Sequence, residues 1–223
     1  MSKPAVNLVC TRATDGNHIA LSRWYADHVH LLLAAPELCQ ATLHRCNEQL
    51  AGLPPDYFCI YEFASHDDFL AFEQGQPKAR ATELTNAATG RSSIEIVQRT
   101  QYLRWLHRQW PAPAKANGSQ HGSIWHLAVC LNGDAGWTLD TQRWLADHLQ
   151  ALQSCSPLIC AQAFCGASDE GQVFIKLDFA GGDAKAIWPL LQDQLSQSAL
   201  YGQSPQLETV WAASAAALQE WLR

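Results

Sequence analysis

Basic residues are scarce in this chain. Lys and Arg total 15 against 21 Asp and Glu, a formal net charge of −6, and no basic run interrupts the spread. Nucleic-acid binding draws its affinity from neutralised phosphates and needs a concentrated basic surface, so a nucleic-acid partner is excluded. Long apolar runs are missing as well. No stretch approaches the roughly 20 residues of a membrane-spanning helix, and Met1-Ser2-Lys3-Pro4 opens no signal-type apolar core. A soluble, cytoplasmic protein without a membrane partner is expected.

The eight cysteines contain no C-x-x-C pair, and Cys155, Cys160 and Cys165, spaced by five, suit neither a zinc knuckle nor one face of a helix. Without a secretory signal they read as reduced thiols with structural roles. A phosphate-binding glycine loop, a nucleophile elbow and a dinucleotide fingerprint are also absent. No cofactor is expected.

What the chain does have is an echo. Arg23-Trp24-Tyr25-Ala26-Asp27-His28 returns as Arg143-Trp144-Leu145-Ala146-Asp147-His148, 120 residues on, and Cys10 and Cys130 keep the same offset. Pro36 and Cys39 match Pro157 and Cys160 at 121; Phe58, Phe63, Ala64 and Asp67 match Phe174, Phe179, Ala180 and Asp183 at 116, as Trp105-Leu106 matches Trp221-Leu222. Solenoid units run only about 20 to 50 residues. The pattern therefore reads as a tandem duplication: copy one at 1–106, a linker at 107–123 carrying Pro111, Pro113, Gly118 and Gly122, and copy two at 124–223. Copies of about a hundred residues bury a core only marginally, so a shared apolar interface is expected.

Each copy predicts the same elements. A strand around Val6, Leu8 and Cys10 has its counterpart in the second copy at Leu127–Leu131, and a helix from about His18 to Ala34 at Thr141–Gln153, both helices ended by proline. Short strands follow at Leu38–Leu43 and Ile159–Phe164. The clearest strand is Tyr57–Phe63, whose odd positions Tyr57, Cys59, Tyr61 and Phe63 face Val173, Ile175, Leu177 and Phe179 in the second copy. Ser65-His66-Asp67-Asp68 reads as an N-cap with an acidic first turn, and Ser92–Gln98 and Leu207–Ala213 supply last strands. The order β-α-β-β-α-β, twice, predicts an α+β fold of two tandem ferredoxin-like domains packed sheet to sheet as an intramolecular pseudo-dimeric α/β barrel. A further homodimer stays open.

The early strand, the helix bearing Trp-x-x-x-His, the proline after it and the strand Tyr57-Phe58-Cys59-Ile60-Tyr61-Glu62-Phe63 together resemble the dimeric α/β-barrel superfamily, and within it EthD-like proteins. In that family the helix commonly reads Trp-x-x-x-His-x-Pro. Here His30 stands at the family's proline and Glu37 at the glycine after Pro36, with Gln150 and Leu158 in the second copy. The resemblance implies two ferredoxin-like halves closing a barrel with a pocket in each, and cofactor-free isomerases, cyclases and decarboxylases as relatives. Related barrels bind haem, which supplies a weaker alternative.

Trp24 and His28 are one helical turn apart, as are Trp144 and His148. Two readings stand for the histidines. In one, His28 is a general acid or base at a pocket mouth, since imidazole titrates near neutral pH; in the other it is hydrogen-bonded and packed on tryptophan. The mixed face of the third strand offers a second catalytic candidate, Glu62, with Asp178 at the matching position, each either a carboxylate whose burial would raise its pKa or a solvated residue at the strand end. Trp24, Tyr25, His30 and Phe58 are expected around the ligand in copy one, and Trp144, His148, Phe174 and Asp178 in copy two. His28 and His30 lie about 200° apart on a helix and cannot chelate one ion, so no metal is expected. Tyr25 becomes Leu145 and His30 becomes Gln150; if one half has lost activity, it is the second. The function expected is that of a cofactor-free enzyme acting on a small hydrophobic, oxygenated molecule, with a non-catalytic ligand-binding protein as the alternative.

Overall fold

The computed structural model describes residues 3–88, 91–111, 124–133, 139–155, 157–168, 171–200 and 207–223. The first elements are β1 (Ala5–Ala13), α1 (His18–Leu32), β2 (Leu38–Gly52), β3 (Tyr57–Phe63), α2 (His66–Gln74), α3 (Gln76–Asn86) and β4 (Ile94–Gln109). Then come β5 (Trp125–Gly133), α4 (Leu139–Cys155), β6 (Leu158–Gly166), β7 (Gln172–Phe179), α5 (Ala184–Leu200) and β8 (Leu207–Leu222). Local chemistry explains the helix starts. Asn17 caps α1 by accepting from the Ala20 amide at 3.0 Å, and Ser65 caps α2 through the Asp68 amide at 3.1 Å, ahead of Asp67 and Asp68 in the positive first turn. Gly75 ends α2, and Pro77 sits in the first turn of α3, where a missing N–H costs nothing.

The chain divides into two compact units: Met1–Arg45, Pro55–Leu103 and Ala217–Arg223 form the first, Cys46–Pro54 and Arg104–Ala216 the second. In the first, Tyr57, Cys59, Tyr61 and Phe63 bury one face of β3 against Leu21, Trp24, Tyr25 and Val29 of α1 and Phe69 and Phe72 of α2. In the second, Val173, Ile175, Leu177 and Phe179 of β7 pack with Leu145, Leu149 and Leu152 of α4 and Ile187, Trp188 and Leu191 of α5. Strands β2, β4 and β8 each give one end to one unit and the other end to the other. Trp105 therefore packs on the second unit's core and Trp221 on the first's.

This arrangement corrects the expected fold class. The strands hydrogen-bond in the order β1-β3-β2-β8-β5-β7-β6-β4, which closes on itself as one eight-stranded antiparallel barrel, not two ferredoxin-like domains packed sheet to sheet. The cause is strand length. β2, β4 and β8 run 15, 16 and 16 residues, well past the short stretches their composition predicts, so the strands that would have been sheet edges continue into further pairing. Closure removes edges that would otherwise expose unpaired backbone groups. Gly52, at the end of β2, shows how close the strands come: its φ is +59°, and a Cβ there would sit 2.0 Å from the Val210 carbonyl oxygen of β8, so only glycine fits. Among the described residues no helix is long and apolar enough to cross a membrane.

Candidate active site

Helix α1 lays Leu21, Trp24, Tyr25, Val29 and Leu32 into the first unit's core, and the same periodicity puts His28 beside Trp24. The two rings stack with centroids 4.7 Å apart and planes 11° from parallel, while the Arg91 guanidinium lies 5.9 Å over the indole. Thr85 of α3 ties both down. Its carbonyl accepts from Trp24 Nε1 at 3.3 Å, and its hydroxyl lies 3.0 Å from His28 Nδ1. That hydroxyl donates to the Ala81 carbonyl at 2.8 Å, so its proton is committed and it accepts from the imidazole. The proton of neutral His28 is thereby assigned to Nδ1, leaving Nε2 as the acceptor. Burial, and then the Arg99 and Arg91 guanidiniums, push the imidazole down from 6.5 to about 4, because a cation is costly in a desolvated place that already faces positive charge.

His28 lines a cavity of about 70 Å³ between the helices and the sheet of the first unit. Trp24, Tyr25, Tyr61 and Phe72 supply aromatic walls, and Val9, Leu32 and Ile96 the aliphatic ones. The polar lining is Asn7, Thr82, Lys78 and Arg99. Asn7 is buried, 4% exposed. Tyr25 Oη is 3.2 Å from Thr11 Oγ1, and burial holds both the Tyr25 and Tyr61 phenols well above their usual range, hence protonated. Arg99 donates to Glu73 at 2.7 Å, and Lys78 donates to the other oxygen of the same carboxylate. The break at Gly75 creates this polar wall, since α3 carries Lys78, Thr82 and Thr85.

A haem does not fit the described residues. The cavity beside His28, about 70 Å³, is far too small for a porphyrin. The larger hollow of about 830 Å³ between the end of α1 and α3 is lined by no His, Cys, Tyr or Met to ligate iron.

The other expected site residues lie elsewhere. His30 is exposed on α1. Glu62 and Phe58 alternate with Tyr61 and so sit on the opposite face of β3, Glu62 in register with Val6 and Gln40 and Phe58 stacked on His44 at 4.5 Å. His28 and Glu62 are therefore not brought together. The Trp144 side chain lies outside the described residues, and His148 is half-buried on α4. Phe174 is buried, with centroids 5.9 Å from Phe164 and 6.2 Å from Trp211. Asp178 Oδ1 accepts from Lys176 Nζ and pairs with His126 Nδ1, each at 2.8 Å. Burial pulls its carboxyl upward as the sequence suggested, but those two partners outweigh it and bring the value down to about 2. Asp178 is thus an ionised counter-charge rather than a proton donor.

Sequence reasoning missed Asn7, Thr85, Lys78 and Arg99. Only Asn7 left a signal, as a polar residue flanked by apolar ones in β1. Lys78, Thr85 and Arg99 meet it from distant elements, and nothing local marks them.

No family model and no curated protein matches the chain. Solved structures resemble it over nearly its whole length at low identity. A candidate monooxygenase from Fusobacterium nucleatum has a TM-score of 0.59 at 6% identity, covering 100% of this chain and 95% of its own. An anthrone oxidase-like protein gives 0.57 at 12%, covering 100% and 94%. A variant of chlorite dismutase from Candidatus Nitrospira defluvii gives 0.57 at 9%, covering 96% and 92%. This chain shares the fold of these proteins.

Proposed function

We propose that the first unit's cavity is the active site of a cofactor-free enzyme that moves a proton on a small hydrophobic, oxygenated substrate, with His28 as the base. The observation that carries this is the fixed tautomer: Nδ1–H is held by Thr85, so Nε2 offers its lone pair, in a lining that also holds Lys78 and Arg99. A substrate O–H, or a C–H next to a carbonyl, gives its proton to Nε2. The electron pair left behind becomes an oxyanion or enolate, which the two cations stabilise. The transient imidazolium keeps its Thr85 hydrogen bond and its stacking on Trp24. Isomerisation and cyclisation use this step, and decarboxylation ends on its reverse, protonation of the enolate left by loss of CO2. The repeated Trp-x-x-x-His helix supports reading the chain as two fused EthD-like halves.

The test is a screen of lactones, quinones and 1,3-diketones for proton exchange with deuterated solvent, followed by NMR. His28→Gln should slow the exchange by roughly 10² to 10⁴. An unchanged rate in a folded variant would remove His28 from the chemistry. The cavity's volume of about 70 Å³ favours a second reading, a non-catalytic pocket for a small ligand, in which binding is measurable but no substrate exchanges protons.

A further inference from the structure

The cavity beside His28 departs from the charge balance of the chain. Acids outnumber bases 21 to 15 overall, yet the lining contains two basic side chains, Lys78 and Arg99, and no carboxylate. Glu73, outside the lining, pairs with both, through Arg99 Nη2 at 2.7 Å and through direct contact with Lys78. One negative charge thus faces two positive ones, leaving about one positive charge uncompensated at the cavity wall. Asn7 points the same way. It is 4% exposed and lines the cavity, and its carboxamide N–H is a donor that a ligand oxygen can accept from. The remaining lining, Trp24, Tyr61 and Phe72 among it, is aromatic, which suits a flat apolar body with a polar end.

We propose that this cavity selects a small planar mono-anion, a one-ring carboxylate or ionised phenol or enol, whose oxyanion is held by Asn7, Arg99 and Lys78 while its ring rests among the aromatic walls. Glu73 acts as the counter-ion that weakens its hold on both cations when the ligand enters. The inference rests on the proposed active site for the location of substrate, but it needs no turnover to be tested.

Benzoate and benzamide have nearly the same shape and differ in charge, so calorimetric titration of the full chain with each isolates the anion preference. Benzoate should bind at least ~10-fold more tightly, a difference of about 1.4 kcal/mol. Lys78→Met and Arg99→Gln should each bring the ratio toward one, and Glu73→Gln should strengthen benzoate several-fold, roughly as expected for removing a competing charge. Circular dichroism checks that each variant is folded. Equal affinities in the unsubstituted protein, no benzoate binding at millimolar concentration, or weaker benzoate binding by Glu73→Gln would each overturn the proposal. Benzoate preference with no proton exchange on any substrate would sink the catalytic reading and leave this one standing. Turnover of neutral substrates by a protein indifferent to charge would do the reverse.

Discussion

The two units place their polar groups on opposite faces of their sheets. In the first, Asn7, Tyr25, Tyr61 and Arg99 line a cavity on the helix-facing side. At the positions that match them by strand register and by the repeated motif, the second unit has Leu127, Leu145, Leu177 and Ala212, all fully buried in one apolar core. On the other face the exchange runs backwards. Val6 and Ile60 stand beside Glu62 where the second unit has His126 and Lys176 hydrogen-bonded to Asp178. The helices differ as well: α2 and α3 are separated at Gly75, whereas α5 runs unbroken through 17 residues. The difference teaches that the same strand order either packs shut with leucine or keeps a hollow, and that the hollow costs buried polar groups. A buried Asn7 and a neutral His28 facing guanidiniums are what that hollow holds.

The largest effect should separate the two histidines. His28→Gln is expected to lower kcat/KM by roughly 10² to 10⁴, while His148→Gln leaves it within about twofold; equal losses would end the contrast between the units. Next come the leucine positions, read by denaturant unfolding. Leu127→Asn buries an unpaired carboxamide in a filled core and should destabilise by about 3 kcal/mol. The reverse change, Asn7→Leu, should leave stability level or raise it by about 1 kcal/mol while abolishing ligand binding. Thr85→Val removes the acceptor that fixes the His28 tautomer, so kcat should fall about tenfold, roughly 1.4 kcal/mol, with KM nearly unchanged in steady-state kinetics.

Acid should act on the two units in different windows. As pH falls below 6.5 the unfolded chain takes up a proton that folded His28 refuses until about 4, so stability present above 6.5 is lost through that interval. Asp178, with 3.8 lowered to about 2, likewise contributes stability above 3.8 that is lost as pH falls through 2. Thermal melts should therefore show His28→Gln flattening the slope between pH 6.5 and 4, by a few °C, and Asp178→Asn altering only the region below pH 4.

Much of this was legible in the chain. The Trp-x-x-x-His spacing puts the stacked pair on one helical face, the odd positions of β3 and β7 are the helix-facing ones, and Ser65 caps its helix. The length of β2 was hidden because its distal half, around Arg45, Cys46, Asn47, Glu48 and Gln49, is largely polar and reads as a loop, although it alternates between exposed and half-buried as a strand. The pocket was half hidden for another reason. His28 comes from α1, but Thr85, Lys78 and Arg99 come from α3 and β4, and only the fold assembles them. For Asp178, burial alone would raise the pKa, and the two donors that reverse this sit one on its own strand and one on β5.

The most direct measurement is long-range ¹⁵N–¹H NMR of the histidine rings, titrated from pH 8 to about 4. His28 should show a protonated Nδ1 and a bare Nε2 throughout and begin to charge only near pH 4. A His28 that titrates near 6.5, or carries its proton on Nε2, would contradict a base held ready by Thr85 and the cationic lining of the first unit.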